Sequence, residues 1–411
     1  MKRWHRSQYP KRRRRRQLGP RLLTQQECLV RSQKKFAIAA GVAAFALALS
    51  ACSSGDAGDT TETTAPAAEI SAEAQAALDR AYEGIGSDLA ELAAVAPEDG
   101  LNLYIMSCGE AIATCSAPAS FMAEAGETAG WNSTIVDGKL NPEGFATAIR
   151  QAVAGGADVL IPVGISCSAA AAAFQEAKDA GITIVGGGGV DDCSPQLWDS
   201  QRLWLEDAPV PSPFMAMGVL QADYVFGKTD GDPKTVVVNM TSNPWGGMVT
   251  AAFQDELKAL GGGEVVEVVD VSDSEGADGT LNQKVVSVLL ANPDANSLVM
   301  PTDGYLVNGL AAAIDQAGLA DKLVVVGGFG SEGALDMIRN GQPGITATVG
   351  QAQVWESWGS VDTAIRARAG EDVAYIGQTV QVVDKDHNMP KSGPYDGNID
   401  WKSKFLEAWG K

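Results

Sequence analysis

The sequence predicts an α/β protein made of two doubly wound lobes, each built around a parallel β-sheet. Three observations support this prediction. Short apolar runs alternate with longer amphipathic segments from about residue 101 onward. The alternation forms two successive series, and each series is long enough for one lobe. The composition, with 45% hydrophobic residues and 46 glycines among 411 residues, is that of an ordinary globular protein.

The first series contains four predicted strands, each a short apolar run bounded by turn residues. They are residues 101–106, 134–136, 159–163 and 182–185. An Ala- and Glu-rich segment precedes them, with Leu78, Tyr82 and Ile85 at helical spacing. This spacing predicts one amphipathic helix at the start of the folded body.

The second series repeats the pattern of the first. Its predicted strands are residues 235–240, 265–271, 297–300 and 323–326, with helices at 248–260 and 306–317. Residues 157–189 and 295–330 share the same order of strand, helix ending in Ala-Gly, strand and glycine cluster. Because ligands of doubly wound sheets bind beyond the carboxyl ends of the strands, two such lobes predict a binding cleft between them.

Residues 1–51 have the features of a leader and signal peptide. Basic residues precede an apolar stretch of about 15 residues, and small residues then lead to Cys52. Residues 49–52 resemble the bacterial lipobox, whose cysteine is lipidated, and the alternative is an uncleaved membrane anchor. Both interpretations predict an extracytoplasmic body. We also expect translation to start at Val30, and residues 52–70 are typical of a flexible tether.

The charge distribution excludes nucleic acid as a partner of the mature protein. The first 51 residues contain 13 of the 31 basic residues and only one of the 51 acidic residues. The formal net charge of −20 therefore becomes about −32 in the remainder. So acidic a body repels phosphate backbones.

The sequence offers little for catalysis, metals or cofactors. Its two histidines are His5, within the leader, and His387, near the C-terminus, which argues against a Ser-His-Asp or Cys-His device. The Gly-rich run 328–333 matches the spacing of a dinucleotide fingerprint, but no acidic residue follows at the expected distance. We therefore predict no enzyme activity, no cofactor and no metal.

Four ordered segments resemble the type I periplasmic binding proteins, the ribose-binding-like receptors for sugars and small solutes. They are residues 156–162, 177–185, 293–304 and 327–351. The resemblance covers about residues 100–383 and implies three crossovers between the lobes, near residues 206–213, 349–353 and 377–383. The expected lobes are residues 71–208 with 352–380, and residues 209–351 with 381–411, which include the C-terminal tail.

The resemblance implies a monomeric, lipid-anchored receptor that delivers a small molecule to the permease and ATPase of an ABC importer. The alternative within the same fold is a receptor that signals ligand binding to a membrane kinase or chemoreceptor. An extracellular hydrolase is a third class, which turnover of a bound ligand would reveal.

The candidate ligand-binding residues follow predicted strands or lie at a crossover. They are Ser107, Asp191, Asp192, Trp245, Asp303, Phe329 and Gln351. In the family, residues at the positions of Asp303 and Gln351 hydrogen-bond ligand hydroxyls. Carboxylates and amides suit this role because they offset the cost of burying polar groups. The alternative for each aspartate is a helix cap or turn.

Four cysteines remain in the folded body, which is an even number in an oxidising compartment. We pair Cys108 with Cys115 and Cys167 with Cys193, because all four follow predicted strands that are neighbours in the sheet. The two disulfides either stiffen the rim of the binding site or tie long loops without contacting ligand.

Two departures from the family pattern bear on the ligand. The family's Gly-Phe-Asp-Gly motif is replaced by residues 328–330, which lack the aspartate, and residues 239–253 contain no basic residue where the family usually has an arginine. Trp245 and Phe329 stand nearby instead. We therefore expect the ligand not to be an ordinary pyranose or furanose bound in the family's usual way.

Overall fold

The computed structural model describes residues 70–86, 89, 91–242, 244–397 and 399–411. The predicted leader, the lipidation site Cys52 and the tether up to residue 69 lie outside this range. Across the described residues, no helix has both the length and the apolar character needed to cross a membrane.

The first sheet has five strands, all parallel, in the spatial order β2-β1-β3-β4-β5. In chain order these are β1 (Asn102–Ser107), β2 (Asn132–Asp137), β3 (Val159–Pro162), β4 (Thr183–Gly186) and β5 (Ser200–Gln201). Strand β3 is buried along its whole length, as expected for a parallel strand covered on both faces.

The second sheet has six strands in the order β11-β10-β9-β8-β6-β7. They are β6 (Lys234–Met240), β7 (Glu264–Val271), β8 (Ser297–Val299), β9 (Val324–Phe329), β10 (Ala347–Gln351) and β11 (Val380–Val383). Strand β11 pairs with β10 in the antiparallel direction, and the other pairs are parallel.

Twelve α-helices are assigned within the described residues. They are α1 (Ala72–Glu83), α2 (Ala113–Ala129), α3 (Pro142–Ala154), α4 (Ala171–Asp179), α5 (Pro213–Lys228), α6 (Pro244–Leu260), α7 (Asp273–Asp278), α8 (Thr280–Ala291), α9 (Ala311–Gln316), α10 (Glu332–Arg339), α11 (Gln353–Ala369) and α12 (Trp401–Trp409). Single turns of other helix types occupy Cys167–Ala170, Leu306–Leu310 and Ala320–Lys322.

Local sequence explains where several helices begin. Ser212 caps α5 by accepting a hydrogen bond from the backbone N–H of Met215, and Pro213 occupies the first turn, where its missing N–H costs nothing. Asn141 and Pro142 start α3 in the same way. These caps fix the direction in which each helix leaves its loop.

The eight predicted strands are confirmed, with their bounds shifted by up to three residues. Strands β5, β10 and β11 are not among those predicted from the sequence. The three expected crossovers also agree with the structure, since the chain leaves the first sheet after β5, returns after β10 and crosses again before β11. The fold is therefore two α/β lobes, each with a mainly parallel sheet, joined by a hinge of several segments.

The two ends of the folded body lie on the opposite lobes from those expected. Helix α1 packs against α5 of the second lobe, where Gly227 leaves room for Leu78 and Arg80 pairs with the buried Asp223. Helix α12 packs against α11 of the first lobe through Phe405. The small residues of α1 and the aromatic residues of α12 select these partners, so the chain crosses between the lobes at both ends as well.

Candidate ligand-binding cleft

A cavity of about 960 Å³ lies between the two lobes, at the carboxyl ends of the parallel strands. Both lobes and the hinge segments line it. From the first lobe come residues that follow β1, β3 and β4. From the second lobe come residues that follow β6 and β8, and Phe329 at the end of β9. This is the position at which doubly wound sheets bind ligands, and the expected cleft is present.

The first lobe presents small residues, a disulfide and larger apolar side chains, among them Met122, Leu140 and Phe145, to the cleft. Cys108 and Cys115 are bonded to each other, and both line the cavity. Cys167 and Cys193 form the second disulfide, which lies behind the lining residues Ser166 and Ser168. Both expected pairings are present, and one disulfide forms part of the cleft wall.

The second lobe presents three aromatic rings that contact one another. Phe214 stacks on Trp245 with ring centres 5.3 Å apart, and Phe329 meets Trp245 edge to face at 5.3 Å. Phe329 has a φ of 82°, a left-handed conformation that is strained for a bulky side chain. The backbone therefore holds the Phe329 ring on the cleft wall at an energetic cost.

The floor of the cleft contains a buried polar network on the hinge segments. Arg202 pairs with Glu356 and donates a hydrogen bond to the Ser360 hydroxyl at 2.8 Å. Burial lowers the pKa of Arg202, and the attraction of Glu356 opposes this. Gln351 donates its amide Nε2–H to the other oxygen of Glu356. The network joins two of the segments that connect the lobes, the one that follows β5 and the one that leads from β10 into α11.

Three of the seven candidate residues line the cavity, namely Trp245, Phe329 and Gln351. Asp303 does not line it, although its neighbours Thr302 and Gly304 do. Its carboxylate is fully buried and accepts hydrogen bonds from the Ser331 N–H at 2.9 Å and the Ser331 hydroxyl at 2.7 Å. Asp303 thus turns away from ligand and holds the turn that follows Phe329.

Burial raises the pKa of Asp303 to about 6, even though hydrogen bonds from Ser331 and Thr348 favour the charged form. The strained Phe329 and the buried Asp303 are therefore parts of one local arrangement. We expect Asp303 to influence the cleft by holding Ser331, two residues after Phe329.

The three remaining candidates also have structural roles and are not among the lining residues. The Asp191 carboxylate accepts hydrogen bonds from the backbone N–H groups of Leu197 and Trp198, both at 2.8 Å. Asp192 accepts from the Ser168 N–H at 2.7 Å and from its hydroxyl at 2.6 Å. Ser107 is fully buried behind the first loop. The contacts of Asp191 and Asp192 fit the turn alternative that the sequence left open for the aspartates. Ligand contact by these three residues stays a prediction.

Phe214, Arg202 and Glu356 line the cavity but are not among the residues predicted from the sequence. Phe214 follows the predicted crossover at residues 206–213, and an aromatic residue in that position is a signal that could have identified it. Arg202 and Glu356 are 154 residues apart in the chain, and no local pattern links them. Only the folded hinge brings them together.

Two α/β lobes with a shared cleft and a multi-segment hinge define the class of two-lobed, ligand-enclosing binding proteins. Residues 112–372 match the family of periplasmic binding protein domains. The chain belongs to this family. No curated protein matches the sequence significantly.

Several solved structures share the fold. One is the Caulobacter myo-inositol binding protein, with a TM-score of 0.58 and 17% identity over 71% of this chain and 96% of that chain. An ABC sugar transporter subunit from Rhodobacter sphaeroides has a TM-score of 0.58 and 17% identity over 70% and 99%. The arabinose-binding component of a Shewanella ABC transporter has a TM-score of 0.57 and 16% identity over 75% and 95%. At such identities the likeness establishes the fold.

Proposed function

We propose that this protein is an extracytoplasmic solute-binding lipoprotein that captures a small molecule in the cleft and delivers it to the permease and ATPase of an ABC importer. The cavity of about 960 Å³, lined by both lobes and the hinge, is the observation that carries this proposal. The similar structures from Caulobacter, Rhodobacter sphaeroides and Shewanella are binding proteins or ABC transporter subunits for small polyols or sugars, which supports it.

The proposed mechanism is closure of the lobes over the ligand. A ligand that contacts both lobes binds the closed form better than the open form and shifts the population toward it. The connecting segments around Arg202, Gln351 and Gly377 absorb the motion, because they are where the chain passes between lobes. The importer then recognises the closed receptor, which acts as a monomer.

Ligand binding is tested by mass spectrometry of the small molecule that co-purifies with the protein. A thermal-shift screen of sugars, polyols, nucleosides and small aromatic compounds accompanies it. A ligand at a hundredfold excess over its Kd stabilises the native state by about 2.7 kcal/mol and is released chemically unchanged. If no molecule co-purifies and none of the compounds raises the Tm, the proposal is wrong.

The lipid anchor is tested separately, since it rests on the sequence before the folded body. Cys52→Ala should release the protein from membranes and leave ligand binding intact, because the tether lies outside both lobes. Retention of the variant in the membrane fraction would indicate an uncleaved apolar anchor instead.

A further inference from the structure

The walls of the cleft differ from those expected of a site for a free monosaccharide. Among the described lining residues, the charged side chains are Arg202, Asp278 and Glu356. Arg202 and Glu356 neutralise each other. Asp278 is exposed at the rim, where it accepts hydrogen bonds from the Thr280 N–H and hydroxyl. A charged ligand would lose its hydration without gaining a free counter-charge, which is unfavourable.

The aromatic wall supplies ring surface of two nearly perpendicular orientations on one side of the cleft. Phe214, Trp245 and Phe329 form a continuous cluster, with Phe214 and Phe329 6.5 Å apart and nearly perpendicular. Met240, Ile112 and Pro118 add apolar surface around the cavity. Aromatic side chains in such clusters favour stacking with another ring. The volume of about 960 Å³ is also at the upper end of the range of about 300 to 1,000 Å³ for drug-sized ligands.

The hinge floor supplies one acceptor with a fixed orientation. The Gln351 side chain is 1% exposed. Its Nε2 donates to the Glu356 carboxylate, and this contact identifies the other amide atom as the oxygen, Oε1. Within the described part of the chain, Gln351 Oε1 has no hydrogen-bond partner. A buried acceptor without a donor is costly, and a ligand N–H or O–H removes that cost.

Resting on the function proposed above, we infer that the ligand is an uncharged molecule with a flat aromatic or heteroaromatic ring and an N–H or O–H donor. The ring stacks on the wall formed by Phe214, Trp245 and Phe329, and the donor binds Gln351 Oε1. Sugars, polyols and charged aromatic compounds lack one or another of these properties.

The test compares matched compounds by calorimetry and thermal shift. The first set holds uncharged ring compounds with donors, namely nucleosides, nucleobases, and phenolic alcohols and amides. The second holds sugars and polyols, including ribose, galactose, glucose and myo-inositol, and the third holds nucleoside monophosphates and aromatic carboxylates. Adenosine, ribose and adenosine monophosphate thus differ only by base or phosphate. We expect binding at micromolar Kd or tighter from the first set alone.

Variants of the wall connect binding to the proposed contacts. Trp245→Ala should weaken binding of the first-set ligand at least tenfold, whereas the matched control Trp245→Phe should stay within about threefold because stacking is retained. Phe214→Leu provides a second variant if Trp245→Ala folds poorly. Gln351→Ala should also weaken binding, most for compounds with a strong donor.

The outcomes separate this inference from the function on which it rests. Micromolar binding of a sugar, polyol or charged compound, unchanged by Trp245→Ala, would overturn the inference and leave solute binding standing. Binding of a flat compound that neither wall variant weakens contradicts the inference as well. If no compound in any set binds and nothing co-purifies, both the inference and the proposed function are wrong.

Discussion

The two lobes differ in where they place their tryptophan residues and their disulfides. The first lobe buries its tryptophans away from the cleft, where Trp358 stacks on Trp409 with ring centres 5.3 Å apart, and it holds both disulfides behind or along its cleft face. The second lobe has no disulfide among its described residues, and it presents Trp245 and Phe329 to the cavity. The first lobe is tied by disulfides, and the second lobe provides the cluster of three rings that contact one another.

This difference predicts that tryptophan residues have different roles in the two lobes. A tryptophan of the first lobe contributes to stability, because it is surrounded by other side chains. We expect Trp245 of the second lobe to contribute to affinity, because it lines the cavity. Substitutions in the two lobes therefore test the division directly.

The largest effect is expected from Trp358→Ala in the first lobe. Trp358 is fully buried and contacts Trp401, Phe405 and Trp409, and the Lys402 ammonium lies 4.6 Å from its ring centre. Deleting it leaves a large cavity and should lower the free energy of unfolding by about 3 to 5 kcal/mol.

Denaturant unfolding measures this change, and calorimetry should show little change in ligand affinity at temperatures where the variant is folded. Trp245→Ala is the control, since it should cost less than half as much stability and far more affinity. A loss of affinity in Trp358→Ala equal to that in Trp245→Ala would contradict the division between the lobes.

The disulfides come next. Replacing Cys167 and Cys193 by alanine opens a loop of 26 residues and should lower the free energy of unfolding by about 3.5 kcal/mol, whereas the 7-residue loop between Cys108 and Cys115 should cost about 2.4 kcal/mol. The shorter loop lines the cleft, so its loss should weaken ligand binding more. Urea unfolding and calorimetry measure both. The opposite order in affinity would show that the second disulfide, and not the first, shapes the site.

Much of the fold could be predicted because buried parallel strands are short apolar runs, and such runs are visible in the sequence. The disulfide pairing could be predicted for a related reason, since strand ends that are neighbours in a sheet bring their loops together. Strand β11 was missed because its residues 380–383 lie in a crossover, and an apolar run of four residues there does not reveal the direction of pairing.

The site could be predicted only in part, because a sequence locates the loop but not the direction of a side chain. Asp191 and Asp303 follow strands as predicted, yet their carboxylates accept backbone N–H groups of the protein. The donor to Asp191 lies in its own loop, and the donor to Asp303 lies in the loop that follows β9. The pairing of Arg202 with Glu356 depends on the folded hinge, which brings the two residues together. Likewise, the apolar face of α1 does not say which lobe will cover it.

The smallest expected effect concerns Asp303, which orders the second lobe's cleft face by hydrogen bonds where the first lobe uses disulfides. Burial raises its pKa from the ordinary value near 4 to about 6, so the native state binds a proton more strongly than the unfolded chain. Proton binding by Asp303 therefore adds most to the free energy of unfolding below about pH 4. This contribution is lost as the pH rises through about 6.

Asp303→Asn does not titrate, so the stability of the variant relative to the wild-type protein should improve between pH 4 and pH 7, by about 1 to 3 kcal/mol. The variant also loses part of the hydrogen bonding to Ser331. This loss lowers its free energy of unfolding by the same amount at every pH, so it does not change how the difference between the proteins varies with pH. Other shifted groups, such as Asp384 and Glu275, titrate in both proteins and cancel in the difference. Urea unfolding of both proteins across this range measures the slope. If the difference in unfolding free energy between the two proteins does not change with pH, Asp303 is not held in the buried arrangement beside Phe329. The contrast between a first-lobe cleft face fixed by disulfides and a second-lobe face fixed by hydrogen bonds would then be wrong.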